Sequence, residues 1–149
     1  RIDTRTGHAH VVDYIVVEDC GVVVNPMIVD GQVRGGVAQG IAAGLLERLE
    51  YADDGQPMSA TFMDYLVPTA SEIPEVTIHH LETRNEQNPL GAKGMGEGGT
   101  IGAPTAVLCA VNDALRDTGT QFDHIPVLPS QIRAALRDSS AAPQRQEIA

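Results

Sequence analysis

Apolar residues enter this chain in short runs with strand-like spacing. Residues 11–17 mix β-branched side chains with polar ones and predict a strand. Gly21 separates this run from a second apolar run at residues 22–24, and Asn25-Pro26 then predicts a turn. The first part of the chain is therefore expected to be extended.

Two further strands and a hairpin turn are predicted in the middle of the chain. Residues 50–55 contain an Asp-Asp-Gly sequence typical of a hairpin turn, residues 61–67 carry strand formers, and residues 75–81 alternate apolar and polar side chains. Successive side chains of a strand point to opposite faces, so His79 and His80 cannot bind one metal ion together. Both are interpreted as surface or hydrogen-bonded core histidines.

A long helix is predicted from about Asp30 to residues 48–51, because apolar residues recur there at every fourth position. This stripe consists of Val33, Val37, Ile41, Leu45 and Leu49. The first half of the helix is rich in Gly and Ala, which add little to its stability but allow another backbone or a flat ligand to lie close. Packing on a sheet and contact with a ligand both account for these small residues.

Two more helices are predicted in the last third of the chain. Pro104 begins the first and Gly119 ends it. Its predicted packing side carries Ala106, Val107, Ala110, Val111 and Leu115. A short helix follows over residues 131–137, whereas residues 138–149 lack periodicity and predict a disordered tail. The pattern predicts one α+β domain over residues 1–137, with two main helices packed on a mostly antiparallel or mixed sheet.

Composition narrows the classes of function. The 149 residues are 42% hydrophobic, enough for one domain with a modest core. A net charge of −10 argues against nucleic acid as a partner. Cys20 and Cys109 are interpreted as reduced, buried thiols, since their spacing matches neither a zinc nor an iron–sulfur site. No apolar run reaches the ~20 residues of a membrane span and no signal segment opens the sequence, so a cytoplasmic location is expected, with periplasmic export alongside a partner left open.

Glycine is concentrated in one loop that also carries a carboxylate. Six of the 15 glycines lie between Gly91 and Gly102, and glycine is placed where positive φ or the close approach of another body is needed. Among them are Lys93, the only lysine, and Glu97, whose immediate neighbours have no side chains. This arrangement suits a group that meets a ligand, although an exposed structural loop ahead of the Pro104 helix is an alternative.

The glycine run at residues 94–99 also has the spacing of a dinucleotide-binding turn. That fingerprint requires a hydrophobic strand directly before the glycines and a helix directly after them. Residues 84–89 are instead polar and typical of a turn. A nucleotide-binding enzyme is therefore disfavoured.

Three longer blocks occur in order along the chain. They are residues 16–26, residues 31–40, and residues 91–97 with Ala103-Pro104 and Asn112-Asp113-Ala114 after them. Together these blocks resemble the C-terminal part of the molybdenum-binding large subunit of the xanthine dehydrogenase and aldehyde oxidase family. The resemblance implies that the chain is part of a larger molybdopterin-binding subunit. Its start at Arg1 without a methionine is expected of a fragment, a processed piece or one chain of a split subunit.

The resemblance also implies roles for individual residues. The family's catalytic glutamate falls on Glu97, and Gln39 and Gly40 align with a segment that contacts the pterin cofactor. We expect Gln39 to donate a hydrogen bond to the cofactor from its amide, with Gly40 permitting the approach. For Lys93, a cation beside cofactor oxygens and an anchor for the loop backbone are both open. The other expected cofactor contacts are Gly94, Met95 and Gly96, and no residue is expected to ligate the metal.

In this family a hydroxide derived from water attacks an electron-poor carbon beside the metal, and a carboxylate takes the proton. The resemblance implies oxidation of an aldehyde or an N-heterocycle, a choice that residues 98–102 favour; a carbon monoxide dehydrogenase-type subunit and a noncatalytic cofactor-binding or assembly domain are alternatives. It implies a molybdenum–pterin cofactor in the molybdopterin cytosine dinucleotide form. Iron–sulfur and FAD subunits, with the remainder of the molybdenum-binding subunit, are the expected partners. The isolated chain is expected to be inactive.

Overall fold

One long helix, on which one strand and two of the other helices pack, is the central element of this α+β fold. The computed structural model describes residues 1–141, with side chains up to residue 139. In chain order the elements are β1 (Tyr14–Glu18), α1 (Pro26–Leu45), β2 (Val76–His80), α2 (Gly98–Ile101), α3 (Ala103–Ala114) and α4 (Pro129–Ala141). A short 3₁₀ turn, Arg116–Thr118, follows α3.

Helix α1 begins at Pro26 rather than near Asp30. The Asn25 side chain accepts a hydrogen bond of 3.3 Å from the Ile28 N–H, and proline in the first turn needs no intrahelical donor. The sequence predicted a turn at Asn25-Pro26, where the structure shows a helix cap. At the other end, the N–H groups of residues 46 and 47 both bond to the carbonyl of Ala42, so the helix ends before Leu49, which is exposed.

The two strands pair in parallel, with Tyr14 opposite Val76 and Glu18 opposite His80. The prediction of an antiparallel or mixed sheet was therefore wrong. Helix α1 lies between the strands in sequence and returns the chain to the same end, which is the crossover that parallel pairing requires. Among residues 1–141, these are the strands that form a sheet.

One other segment predicted as a strand does not pair. Residues 61–65 form a turn, because the N–H groups of residues 64 and 65 both bond to the Thr61 carbonyl, and residues 66–67 are irregular. The apolar run at residues 22–24 lies outside the strands. The hairpin turn at residues 50–55 is confirmed by an antiparallel bridge between Tyr51 and Pro57 and by the positive φ of 85° at Gly55.

The core lies between α1, α3, β2 and the C-terminal segment. Its buried residues are Val33, Val37, Ile41, Leu45, Val76, Val107, Val111, Leu115, Phe122, Val127, Ile132 and Ala135. The predicted stripe of α1 is thus confirmed up to Leu45. On α3, Ala106 and Ala110 are exposed, so its packing side is narrower than predicted. Burial of each Val, Leu or Ile contributes about 1.5–3 kcal/mol.

The two remaining helices end differently from each other. Gly119, with φ 72°, closes the turn after α3 where the sequence places a stop. Helix α4 begins at Pro129 and continues to Ala141, beyond the predicted end at residue 137. The first residues of the predicted tail are therefore helical, and residues 142–149 lie outside the described part of the chain. No helix in that part is both long and apolar enough to cross a lipid bilayer.

The two thiols differ in exposure. Cys20 is buried with 3% of its surface exposed, as predicted, whereas Cys109 is exposed. The prediction of two buried thiols was wrong for Cys109, because α3 buries Val107 and Val111 and turns the residue midway between them to the outside. Both cysteines are free.

Candidate functional site

The glycine-rich loop is fastened to the segment that follows β1. The Val22 N–H donates to the Gly91 carbonyl at 3.0 Å, and the Lys93 N–H donates to the Cys20 carbonyl at 2.7 Å. Gly21 has φ 69°, and a Cβ at this position would lie 2.4 Å from the Gly91 oxygen. Glycine is therefore required for the two segments to approach so closely.

Beyond this point the loop folds onto α1 as helix α2 and the start of α3. A Cβ on Gly36 would lie 2.8 Å from the Thr100 nitrogen, and a Cβ on Gly40 would lie 2.3 Å from the Ala103 Cβ. Glycines on α1 thus allow near contact between helix backbones. The predicted close packing is confirmed at these two positions, although the partner is a pair of helices and not a sheet.

Glu97 is the N-cap residue of α2, lies between Gly96 and Gly98, and is exposed. Its carbonyl accepts a hydrogen bond of 3.0 Å from the Thr100 N–H. Its side chain makes no capping hydrogen bond, and no hydrogen bond or ion pair joins its carboxylate to another of residues 1–141. The carboxylate is available to a group outside this part of the chain.

Two side chains hold residues 96–100, the glutamate segment, to α1. The sequence analysis did not single out either of these side chains. The Gln32 amide nitrogen donates to the Gly96 carbonyl at 3.1 Å. The Thr100 hydroxyl donates to the Gly36 carbonyl at 2.8 Å. Gln32 lies in the block of residues 31–40, which was a signal for it, whereas nothing in the local sequence of Thr100 indicated a contact with α1.

Gln39 is exposed on α1 beside the contact with the glutamate segment, and its Oε1 lies 3.4 Å from the Thr100 hydroxyl. Within the described chain its amide nitrogen donates no hydrogen bond, which leaves that donor free for another molecule. The neighbouring Gly40 is buried against Ala103, and this packing accounts for its lack of a side chain. The predicted contacts of Gln39 and Gly40 with a pterin cofactor stay predictions.

Lys93 forms an ion pair with Asp19, with 3.0 Å between Nζ and Oδ2. The same carboxylate accepts hydrogen bonds from the backbone N–H groups of Thr83 and Gly21, at 3.1 and 2.9 Å. Hydrogen bonding by Thr83, and after it by Gly21 and Lys93, holds the pKa of Asp19 well below its usual range. Two roles were open for Lys93, a cation beside cofactor oxygens and an anchor for the loop backbone. The ion pair with Asp19 accounts for the second.

The backbone of the loop presents a row of hydrogen-bond donors. None of the N–H groups of residues 94–98 donates to an acceptor in residues 1–141. A Cβ at Gly94 or Gly96 would meet no atom within 4 Å, whereas the Met95 side chain packs against the core and lies over Gly98. An open face of backbone donors fits a cofactor rich in oxygen and nitrogen acceptors. Packing among residues 1–141 does not account for Gly94 and Gly96.

His80 is held between two carboxylates from different elements. Its Nδ1 contacts Glu18 of β1, and its Nε2 lies 3.0 Å from Asp30 of α1. The hydrogen bond with Glu18 raises the pKa of His80, and that with Asp30 adds to this, while burial acts in the opposite direction. The second oxygen of Glu18 is buried and has no hydrogen-bond partner among residues 1–141.

These positions bear on the two histidines of the sequence. His79 is exposed and His80 half-buried, so the predicted alternation of faces is confirmed. The interpretation of His80 as a hydrogen-bonded histidine is also confirmed. Nowhere in residues 1–141 are three or more His, Cys, Asp or Glu side chains grouped so as to hold a metal ion.

Comparison with known proteins gives consistent results from sequence and from fold. Residues 1–74 match the family described as molybdopterin cofactor-binding domain. The chain is 46% identical over 136 residues to the nicotine 6-hydroxylase large subunit of Paenarthrobacter nicotinovorans, covering 91% of this chain and 17% of that protein. It is 32% identical over 141 residues to the carbon monoxide dehydrogenase large chain of Hydrogenophaga pseudoflava, covering 95% of this chain and 18% of that one.

A solved structure resembles the fold over nearly its full length. The crystal structure of quinoline 2-oxidoreductase from Pseudomonas putida 86 superposes with a TM-score of 0.88 and 47% identity, over 92% of this chain and 17% of that one. The similarity therefore extends past residue 74 and through the glycine-rich loop. The chain spans less than a fifth of the length of the relatives it matches.

Proposed function

This chain belongs to the molybdenum hydroxylase large-subunit family, and from that membership we propose that it supplies the general base, Glu97, for oxidation of an aldehyde or an N-heterocycle with water as the oxygen source. The observation that carries this proposal is the exposed carboxylate of Glu97, which has no partner among residues 1–141 and lies on a segment that α1 fastens at both sides. Among the other side chains of the loop, Lys93 pairs with Asp19, Met95 packs against the core and the Thr100 hydroxyl bonds to the Gly36 carbonyl.

The residues of this chain that would hold the molybdenum–pterin group are the exposed donors around Glu97. The N–H groups of residues 94–98 and the amide nitrogen of Gln39 have no acceptor among residues 1–141. Gly94 and Gly96 allow a ring system to approach the backbone. The loop itself is held by the packing of Met95 against the core and by the ion pair of Lys93, and Gly40 lets it lie on α1. The group, proposed as the cytosine dinucleotide form, supplies the two-electron redox chemistry when bound.

Glu97 would take the proton released by the water-derived nucleophile. A carboxylate without an internal partner can accept that proton without first breaking a hydrogen bond. Fixing its backbone on a buried helix removes much of the rotational freedom that would otherwise be lost on reaching the reactive geometry. General-base catalysis of this kind typically contributes about 10²–10⁴-fold to the rate.

The proposed partners are the remainder of the molybdenum-binding subunit and subunits that carry iron–sulfur clusters and FAD to remove electrons. An N-heterocycle is the favoured substrate class, since the hydroxylase and oxidoreductase relatives share 46–47% identity with this chain and the carbon monoxide dehydrogenase relative shares 32%. A noncatalytic cofactor-binding domain is disfavoured by the presence of Glu97 at an open position.

Replacement of the carboxylate by its amide tests the proposal. In the assembled enzyme, Glu97→Gln is expected to lower turnover of N-heterocycles or aldehydes by at least ~10²-fold and to leave molybdenum content and subunit assembly unchanged. Glu86→Gln is a matched control, because Glu86 is also exposed and lies in the polar turn before the loop. Turnover of Glu97→Gln within a few-fold of the parent at saturating substrate would exclude Glu97 as the base.

A further inference from the structure

The glutamate segment cannot hold its own position. Glu97 lies between two glycines, and glycine leaves the backbone on each side free to rotate. A catalytic group must be held to within about 0.5 Å of its productive place. Some contact outside the segment must therefore fix the backbone of Glu97.

We propose that Thr100 and Gln32 are positioning residues that fix Glu97 on α1, an inference that rests on the proposed function of Glu97 as the base. Thr100 connects the glutamate segment to α1 directly. Its half-buried hydroxyl donates to the Gly36 carbonyl of α1 at 2.8 Å, and its own N–H donates to the Glu97 carbonyl at 3.0 Å. One residue thus connects the rigid helix to the peptide group of the base.

Gln32 holds the segment from the other side. Its amide nitrogen donates to the carbonyl of Gly96, the residue immediately before Glu97, at 3.1 Å. Gln32 and Gly36 are four positions apart and therefore lie on the same face of α1, one turn from each other. The base is held between two hydrogen bonds that start from adjacent turns of one helix.

The helix that carries these two contacts is well fixed. Val33 and Val37, which lie between and beside the two turns, have no exposed surface. The backbone of α2 is also seated directly on α1, since a Cβ on Gly99 would lie 2.3 Å from the Val33 carbonyl oxygen. Displacement of the segment away from α1 therefore requires loss of both side-chain hydrogen bonds.

The experiment uses the assembled holoenzyme with Thr100→Val, Thr100→Ser and Gln32→Met. Loss of the hydroxyl in Thr100→Val is expected to lower kcat by about 10–10²-fold, the effect of misplacing a catalytic group by about 1 Å, with KM and molybdenum content close to the parent. Thr100→Ser, which keeps the hydroxyl, should restore most of the rate. The protection of the residue-100 amide, whose N–H donates to the Glu97 carbonyl, should be lower in Thr100→Val and Gln32→Met than in the parent. The matched control is Thr105→Val, an exposed position on α3.

A double-mutant cycle separates positioning from general structural support. In a Glu97→Gln background, Thr100→Val should cause no further loss of the residual turnover, since there is no base left to misplace. Parent-like kcat in Thr100→Val, or the same fold loss in both backgrounds, would overturn the inference. If Glu97→Gln itself retains turnover, the proposed function fails instead, and unchanged protection of the residue-100 amide in Thr100→Val would then overturn the positioning as well.

Discussion

Substitution of Gly40 by alanine should destabilise the seam between α1 and α3. The new Cβ would lie 2.3 Å from the Ala103 Cβ, whereas non-bonded carbons normally approach to about 3.5–4.0 Å. The helices would have to separate by more than about 1 Å. Overpacking of this kind costs about 1–3 kcal/mol.

The same substitution also has a favourable part. Alanine in a helix is about 0.5–1 kcal/mol more stable than glycine. At Gly40 the steric cost exceeds this gain, so we expect a net loss of about 1–2 kcal/mol. At Gly35, where a Cβ meets no atom of the described chain within 4 Å, only the gain remains. Gly44→Ala, with its Cβ 3.1 Å from Val107, should fall between the two.

Native-state hydrogen exchange of α1 amides in the assembled enzyme measures these local free energies. The expected order of stability is Gly35→Ala, then Gly44→Ala, then Gly40→Ala, with the first above the parent and the last below it. Equal protection in Gly35→Ala and Gly40→Ala would show that Ala103 does not limit the approach of the two helices.

Two further predictions concern charged groups that fasten the site. Because bonding to Glu18 and Asp30 raises the pKa of His80 above 6.5, the stability that His80 adds is fully present below that pH and is lost as pH rises through the raised value. The stability difference between parent and His80→Gln, followed by denaturant unfolding, should therefore shrink as pH rises, whereas substitution of the exposed His79 by Gln should change stability little. Lys93→Met and Asp19→Asn should each speed amide exchange at residues 91–93 to a similar degree. The double variant should speed it little further, because both substitutions break the same ion pair. A drop in molybdenum content confined to Lys93→Met would instead indicate that Lys93 contacts the cofactor.

Local patterns predicted the helices well because their signals lie within a few residues. The stripe from Val33 to Leu45 fixed the buried side of α1, and Gly119 marked the end of the segment after α3. The start of α1 was missed because Asn25-Pro26 has two uses, as a turn and as a cap followed by a first-turn proline. Spacing alone does not distinguish them.

The local sequence pattern does not predict contacts between residues that are far apart in the chain. The direction of β2 relative to β1 depends on how the chain between residues 18 and 76 returns, which no strand signal records. The glycine-rich loop and Glu97 were found from composition and resemblance. Gln32 and Thr100 were not, because each meets a backbone carbonyl 64 positions away, and a carbonyl has no sequence signature.

That separation of 64 positions sets an order of events during folding. Closing a loop of such length costs about 3–4 kcal/mol of chain entropy before either contact at the Glu97 segment can form, while α1 needs only neighbouring residues to build its turns. The segment with the base is therefore expected to settle late and to open first when the structure fluctuates. If the proposed function holds, we expect cofactor insertion to precede the fixing of the Glu97 carboxylate on α1.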